Sequence, residues 1–179
     1  RPPGLPKAQE IQRLARGEDD RPVVPARPDK SISREETFDV SLREREALLA
    51  ELQRQTENVA GRLRARQLLA RTVTVKIRDD SFRTVTRSRS MVAPSSSTQT
   101  LYRLARALFE RWRSDHRSTA VRLLGMGVSG LEDDPRGGHE LGDSADSLSA
   151  RRIDAVVDRI NERFGGNRVV HGQTLRRKR

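Results

Sequence analysis

The sequence predicts an α+β fold: a four-stranded, mainly antiparallel sheet with two helices on one face (β-α-β-β-α-β), plus a short N-terminal helix and a C-terminal helix. Three observations carry this expectation. Residues 72–78, TVTVKIR, alternate strictly, with Val73, Val75 and Ile77 on one side and Thr74, Lys76 and Arg78 on the other, the period of a half-buried strand. Stretches before and after it space their apolar residues by three and four, the period of an amphipathic helix. The resulting order lets both helices cover the same side of one sheet.

Residues 31–39 have the composition of a first strand. Leu42, Leu48, Leu49, Leu52, Val59, Leu63 and Leu68 then outline a long helix, for which Ser41 is a candidate N-cap and Glu44 completes a capping box. Gly61 weakens this helix without ending it. After residues 72–78, Asp79-Asp80-Ser81 is turn chemistry, and residues 82–91 return as a third strand. The tetrapeptide Arg-Thr-Val-Thr recurs at 71–74 and 83–86, as two strands of a hairpin would.

That third strand is polar on both sides. Thr84, Thr86, Ser88 and Ser90 share one parity and are small enough to lie beneath a helix. Arg83, Arg87 and Arg89 share the other, and need water or phosphate. Pro94 and Ser95-Ser96-Ser97-Thr98 break the chain and offer N-caps. A second helix carries Leu101, Leu104, Ala105, Leu108, Phe109 and Trp112. The fourth strand, 121–131, sets Leu124, Met126 and Val128 against Gly125, Gly127 and Ser129. Outside this unit, residues 8–16 look helical, and Ile153, Val156, Val157, Ile160 and Phe164 mark a short amphipathic helix stopped by Gly165-Gly166.

The 179 residues suit one domain with extensions. Residues 18–30, with three prolines, read as an extended linker, and 132–149 as an acidic flexible linker. They bracket a folded unit at 31–131, with residues 1–17 before it and a short helix and basic tail at 150–179 after it. No apolar run approaches the roughly 20 residues of a membrane span, so no membrane partner is expected. Zero cysteines exclude disulfide scaffolds and thiol chemistry. Without a signal peptide or an initiating Met, the chain reads as a piece of a longer one.

The net charge is +11, from 32 Arg and 4 Lys against 25 acids. Arginine offers a planar fork of donors that matches phosphate. The charge is concentrated: residues 62–89 hold nine basic and two acidic side chains, whereas 131–149 hold six acids and one Arg. Lys76, Arg78, Arg83, Arg87 and Arg89, interleaved with the hydroxyls of Thr86 and Ser88, would form a basic sheet face for a nucleic-acid backbone. Gly125 and Gly127 would let that backbone come close. Aromatic residues are only 3%, which disfavours base stacking on single strands and favours backbone contacts to a duplex. His116, His139 and His171 lack partners at ligand spacing, and the three Asp-Asp pairs sit among turn-forming residues. No metal site, catalytic residue or glycine-rich phosphate cradle is expected in this segment.

Three blocks, KSISREETF (30–38), RTVTVKIRDDSFRTVTRSRS (71–90) and VRLLGMGVSGL (121–131), in this order and spacing, resemble the little finger of Y-family translesion DNA polymerases of the bacterial DNA polymerase IV type. LARGEDDRPVVP (14–25) resembles the end of that family's thumb, at 1–17, and the tether that follows. The resemblance implies a non-catalytic, DNA-holding domain of an error-prone polymerase, gripping duplex phosphates near the primer-template. By position it implies DNA contacts at Ser31, Ser33 and Thr37, at Thr86, Arg87 and Arg89, and at Arg122. Arg122 shares the parity of Leu124 and Met126, so it faces the helices unless it lies at the mouth of the strand.

The palm carboxylates that bind Mg²⁺ in that family have no counterpart here, so Mg²⁺ is expected only for the missing palm of a parent enzyme. The parent polymerase core and double-stranded DNA are the implied partners, in a bacterial cytoplasm close to the nucleoid. A sliding clamp is a further possible partner, but the usual Gln-Leu-x-Leu-Phe peptide is not found; residues 137–154 read GGHELGDSADSLSARRID instead. The alternative is an accessory or stand-alone nucleic-acid-binding protein with a similar sheet and no polymerase.

Overall fold

Val73, Val75 and Ile77 are buried, and the other elements are arranged around them. The computed structural model describes residues 5–22, 29–134 and 145–165, together with 169 and 172. Its elements are α1 (Leu5–Ala15), β1 (Ser31–Leu42), α2 (Arg45–Ala65), β2 (Leu68–Asp79), β3 (Thr84–Ser95), α3 (Thr98–Asp115), β4 (Val121–Asp133) and α4 (Ala145–Phe164). The strands form one sheet in the order β1-β4-β2-β3, with every neighbouring pair antiparallel. Helices α2 and α3 pack together and on one face of that sheet. The expected α+β architecture is present. Residues 23–28, 135–144 and 176–179, on which parts of the two linkers and the basic tail fall, lie outside the described residues.

The core joins Ile32, Val73, Val75, Ile77, Leu124, Met126 and Val128 of the sheet to Leu48, Leu52, Val59 and Leu63 of α2 and Leu101, Ala105 and Phe109 of α3. Burying each large aliphatic side chain stabilises the fold by roughly 1.5–3 kcal/mol, which explains why alternation in the strands and periodicity in the helices are strongest here.

Element boundaries depart from the sequence expectation where tertiary bonds compete with local ones. Ser41 is not an N-cap. β1 runs through Leu42, which pairs with Val121, and α2 begins only at Arg45, with Glu44 at the cap position and no side-chain cap bond. The link between them is held from a distance. Arg113 donates to the Arg43 carbonyl at 2.5 Å and to the carbonyls of His116 and Thr119 at 3.0 and 2.6 Å. Burial, followed by the nearby Arg43 charge, lowers the pKa of this guanidinium. Leu68 likewise belongs to a strand, because the chain reverses at Gln67 (φ 53°). β3 extends through Pro94, which an edge strand tolerates because its outer side needs no N–H. The serine run does cap α3: the Ser97 side chain accepts from the Thr100 N–H at 3.5 Å.

Helix α4 is seated by ions. Arg64 of α2 donates to both oxygens of Asp158 (2.6 and 2.8 Å) and lies 3.3 Å from Asp154. Asp154 accepts the N–H of Thr98 at the start of α3, a carboxylate cap supplied by another helix. Burial alone would lower the Arg64 pKa, but the Asp158 bonds and the Asp154 charge raise it on balance.

Candidate nucleic-acid interface

Directly paired residues of an antiparallel sheet share a face, so the registers define what the face opposite α2 and α3 presents. Four rows cross it. In the order β1-β4-β2-β3 they are Ser31, Ser129, Thr72, Ser90; then Ser33, Gly127, Thr74, Ser88; then Glu35, Gly125, Lys76, Thr86; and finally Thr37, Leu123, Arg78, Thr84. Leu123 is the only large apolar side chain among them, and it is buried. Alternation explains the rest. Once Val73, Val75 and Ile77 are committed to the core, the residues between them must face away.

Neighbouring hydroxyls bond one another, Thr72 to Ser90 and Thr74 to Ser88, both at 2.9 Å. Arg78 donates to the Thr84 hydroxyl at 2.8 Å. Lys76 is bound to Glu35 at 2.9 Å, so its charge is offset by a neighbour on the same face. This face is rich in hydroxyls and modest in charge.

Two sequence expectations are corrected here. First, Arg87 pairs with Val75 and Arg89 with Val73, which puts both arginines on the helix side of the sheet, not on the open face with Lys76. Thr84, Thr86, Ser88 and Ser90, expected beneath a helix, are the residues on the open face. The reversal is possible because β3 is the edge strand and both arginines remain exposed. Arg87 bonds only the neighbouring Thr86 carbonyl, at 3.3 Å, and neither arginine forms an ion pair among the described residues.

Second, Gly125 and Gly127 are not an open floor. A Cβ on either would lie 3.0 Å from the Cβ of Glu35 or Ser33. These glycines admit β1 close to β4.

The other expected contacts divide by position. Ser31, Ser33, Thr37, Lys76, Arg78, Thr86 and Ser88 share the open face. Arg83 sits at the β2–β3 turn, where its side chain and backbone N–H bind the buried Asp79 carboxylate at 3.1 and 2.8 Å. Arg122 is at the strand's mouth, its guanidinium 5.1 Å from the ring centre of Phe82. Phe82 is exposed and holds φ 61°, a backbone region that bulky residues rarely occupy. Thr72, Thr74, Ser90, Ser129 and Glu35 complete the open face without having been singled out in the sequence; their parity with Lys76 and Ser33 was the available signal. His116 stacks on Trp112 with ring centres 4.8 Å apart. Among the described residues no three His, Cys, Asp or Glu side chains gather into a metal site, and no helix is long and apolar enough to cross a membrane.

Comparison with known proteins agrees with this architecture. The impB/mucB/samB family C-terminal domain matches residues 29–141. DNA polymerase IV 1 of Mesorhizobium japonicum is 34% identical over 171 residues, covering 94% of this chain and 38% of that protein. DNA polymerase IV of Caulobacter vibrioides is 34% identical over 166 residues, covering 93% of this chain and 40% of that protein. The chain thus spans about two fifths of the length of these curated relatives. Among solved structures, a Y-family DNA polymerase chimera of Dbh and Dpo4 superposes with a TM-score of 0.56 at 18% identity, over 73% of this chain and 36% of that one. An insertion ternary complex of Dbh DNA polymerase gives 0.52 at 16% identity, over 73% and 36%. Those two likenesses speak for the fold. With the family match, they place the three sequence blocks in one structural context: the chain belongs to the impB/mucB/samB family and carries its C-terminal domain, the little finger of Y-family DNA polymerases of the polymerase IV type.

Proposed function

We propose that this chain is the DNA-holding part of an error-prone translesion polymerase and grips duplex phosphates near the primer-template. The observation that carries this reading is the edge strand β3. Thr86, Ser88 and Ser90 present hydroxyls on its open side, and Arg87 and Arg89 present exposed guanidinium groups on its other side. The outer side of β3 has no strand partner, so outward-facing N–H groups lie between the two sets. A phosphate backbone running along this edge would meet hydroxyl, amide and guanidinium donors in turn. The cationic element is thus an edge, with Arg78 and Arg122 toward the turn end of the sheet. Ser31, Ser33 and Thr37 extend the hydroxyl surface to the far strand. None of these donors reads bases, so binding is independent of sequence.

In this reading nucleotidyl transfer and its Mg²⁺ belong to the palm of a longer protein in the bacterial cytoplasm. The partners are primer-template DNA, the polymerase core and a sliding clamp engaged without the Gln-Leu-x-Leu-Phe peptide. Fluorescence anisotropy of a labelled duplex titrated with the chain tests the grip. If about four to six phosphates are engaged, the log-log dependence of affinity on salt has a slope of about −4 to −5. Binding that does not respond to salt would overturn the reading.

A further inference from the structure

Helix α4 turns the wrong side inward. Asp154 is 9% exposed and Asp158 is bound to Arg64, whereas Ile153, Val156 and Phe164 are 58%, 54% and 59% exposed. Ile153, Val156, Ile160 and Phe164 are spaced by three and four, so they form one stripe along the helix. The ion pairs that seat α4 therefore present an apolar stripe outward, the pattern of a helix that lacks a partner.

Charge identifies the occupant. The sequence leading into and opening α4, residues 131–149, holds six acids and one Arg, a net of −5. Beyond the helix, residues 165–179 hold five basic residues and no acid. A segment that is acidic at one end, apolar in the middle and basic at the other complements itself when two copies run antiparallel. A groove of uniform sign on another protein, or an anionic membrane surface, would match only the basic end. We propose that α4 pairs antiparallel with α4 of a second copy of this chain, stripe against stripe, in an isologous contact centred near Val156. Four apolar side chains per helix make a patch well below a standard interface of about 1,200–2,000 Å², so the dimer is weak, with a dissociation constant on the order of 100 µM.

Sedimentation velocity of the full 179-residue chain, from about 10 µM to about 1 mM, brackets that value. The expected result is a monomer–dimer equilibrium that shifts toward dimer with concentration and toward monomer with salt. A chain that stays monomeric throughout overturns the proposal. Val156→Asp should weaken dimerisation at least roughly tenfold without changing the melting temperature, because Val156 is exposed in the folded chain. A dimer indifferent to Val156→Asp would use another surface and also overturns the proposal. Direction is read by cross-linking, which the absence of native cysteines makes unambiguous. Under mild oxidation Val156→Cys, near the two-fold axis, should give a disulfide-linked dimer, and Phe164→Cys, far from it, should not. Cross-linking at position 164 and not at 156 would exclude the antiparallel arrangement.

Discussion

On one side of β2, Val73, Val75 and Ile77 are closed off from water, while one residue along, Thr72, Thr74 and Lys76 face the open side. The two faces come from one strand and differ in what holds them. The helix side is held by apolar burial distributed over three layers. The open side is held by pairwise polar bonds that could each be exchanged for a bond to phosphate or water. Stability and binding are thus divided by parity in the centre of the sheet. At β3 the division breaks down, because Arg87 and Arg89 have the parity of the core but lie beyond it. Substitutions can break this comparison or sharpen it.

The largest effect is expected at Val75. Val75→Asp puts a carboxylate in a site with no polar partner and should abolish cooperative melting, a loss of more than about 4 kcal/mol. A near-native melt for this variant would show that the helix side is not the core. Arg87 tests the exception. Arg87→Ala should weaken duplex binding by roughly 1–2 kcal/mol, and flatten the salt slope by about one, with the melting temperature unchanged. Arg87→Lys should recover part of the loss, because it restores charge without the guanidinium fork. A substantial fall in melting temperature for Arg87→Ala would make it a core-side structural residue, and the phosphate contact would pass to Arg89 or Arg78.

Smaller effects separate two glycines. At Gly61 a methyl group would meet only ordinary contacts, Asp158 Oδ1 at 3.7 Å and Arg64 Nη2 at 3.9 Å, so Gly61→Ala should stabilise the chain by up to about 1 kcal/mol through helix propensity. At Gly127 the same change presses on Ser33 and should destabilise by about 1 kcal/mol or more. Thermal melts in which the two shifts share a sign would contradict the close approach of β1 to β4. The smallest effect belongs to Lys76→Ala, within about 0.5 kcal/mol in both stability and duplex affinity, because Lys76 forms a half-exposed ion pair with Glu35. A tenfold loss of affinity would mean that DNA displaces Glu35 and recruits the ammonium.

The order of elements and the core were legible because Val73, Val75 and Ile77, and the leucines of α2, repeat at periods that only one geometry satisfies. The orientation of β3 was not legible. Its residues are polar at both parities, so no apolar signal fixes which side faces the helices, and only pairing with β2 decides. Leu42 and Leu68 continued the helical spacing by coincidence; pairing with Val121 and the reversal at Gln67 claimed them for strands. The seating of α4 could not be read from its stripe, because the contacts that decide it, Arg64 with Asp154 and Asp158, join residues some ninety positions apart. Serine and threonine at Ser31, Ser33, Thr37, Thr86 and Ser88 were found by resemblance, and the strand registers then supplied the neighbours that make them a surface.

The strand order has a consequence for when this domain can exist during synthesis. β4 is the last strand made, yet it lies between β1 and β2 and hydrogen-bonds both. Until it emerges, the chain holds a β2–β3 hairpin and a distant β1 with no ladder to join them, and a lone hairpin is marginal in water. The sheet is closed from its middle, by its final piece. Such non-local closure slows folding, and it makes completion of the DNA-facing surface and completion of the core a single late event.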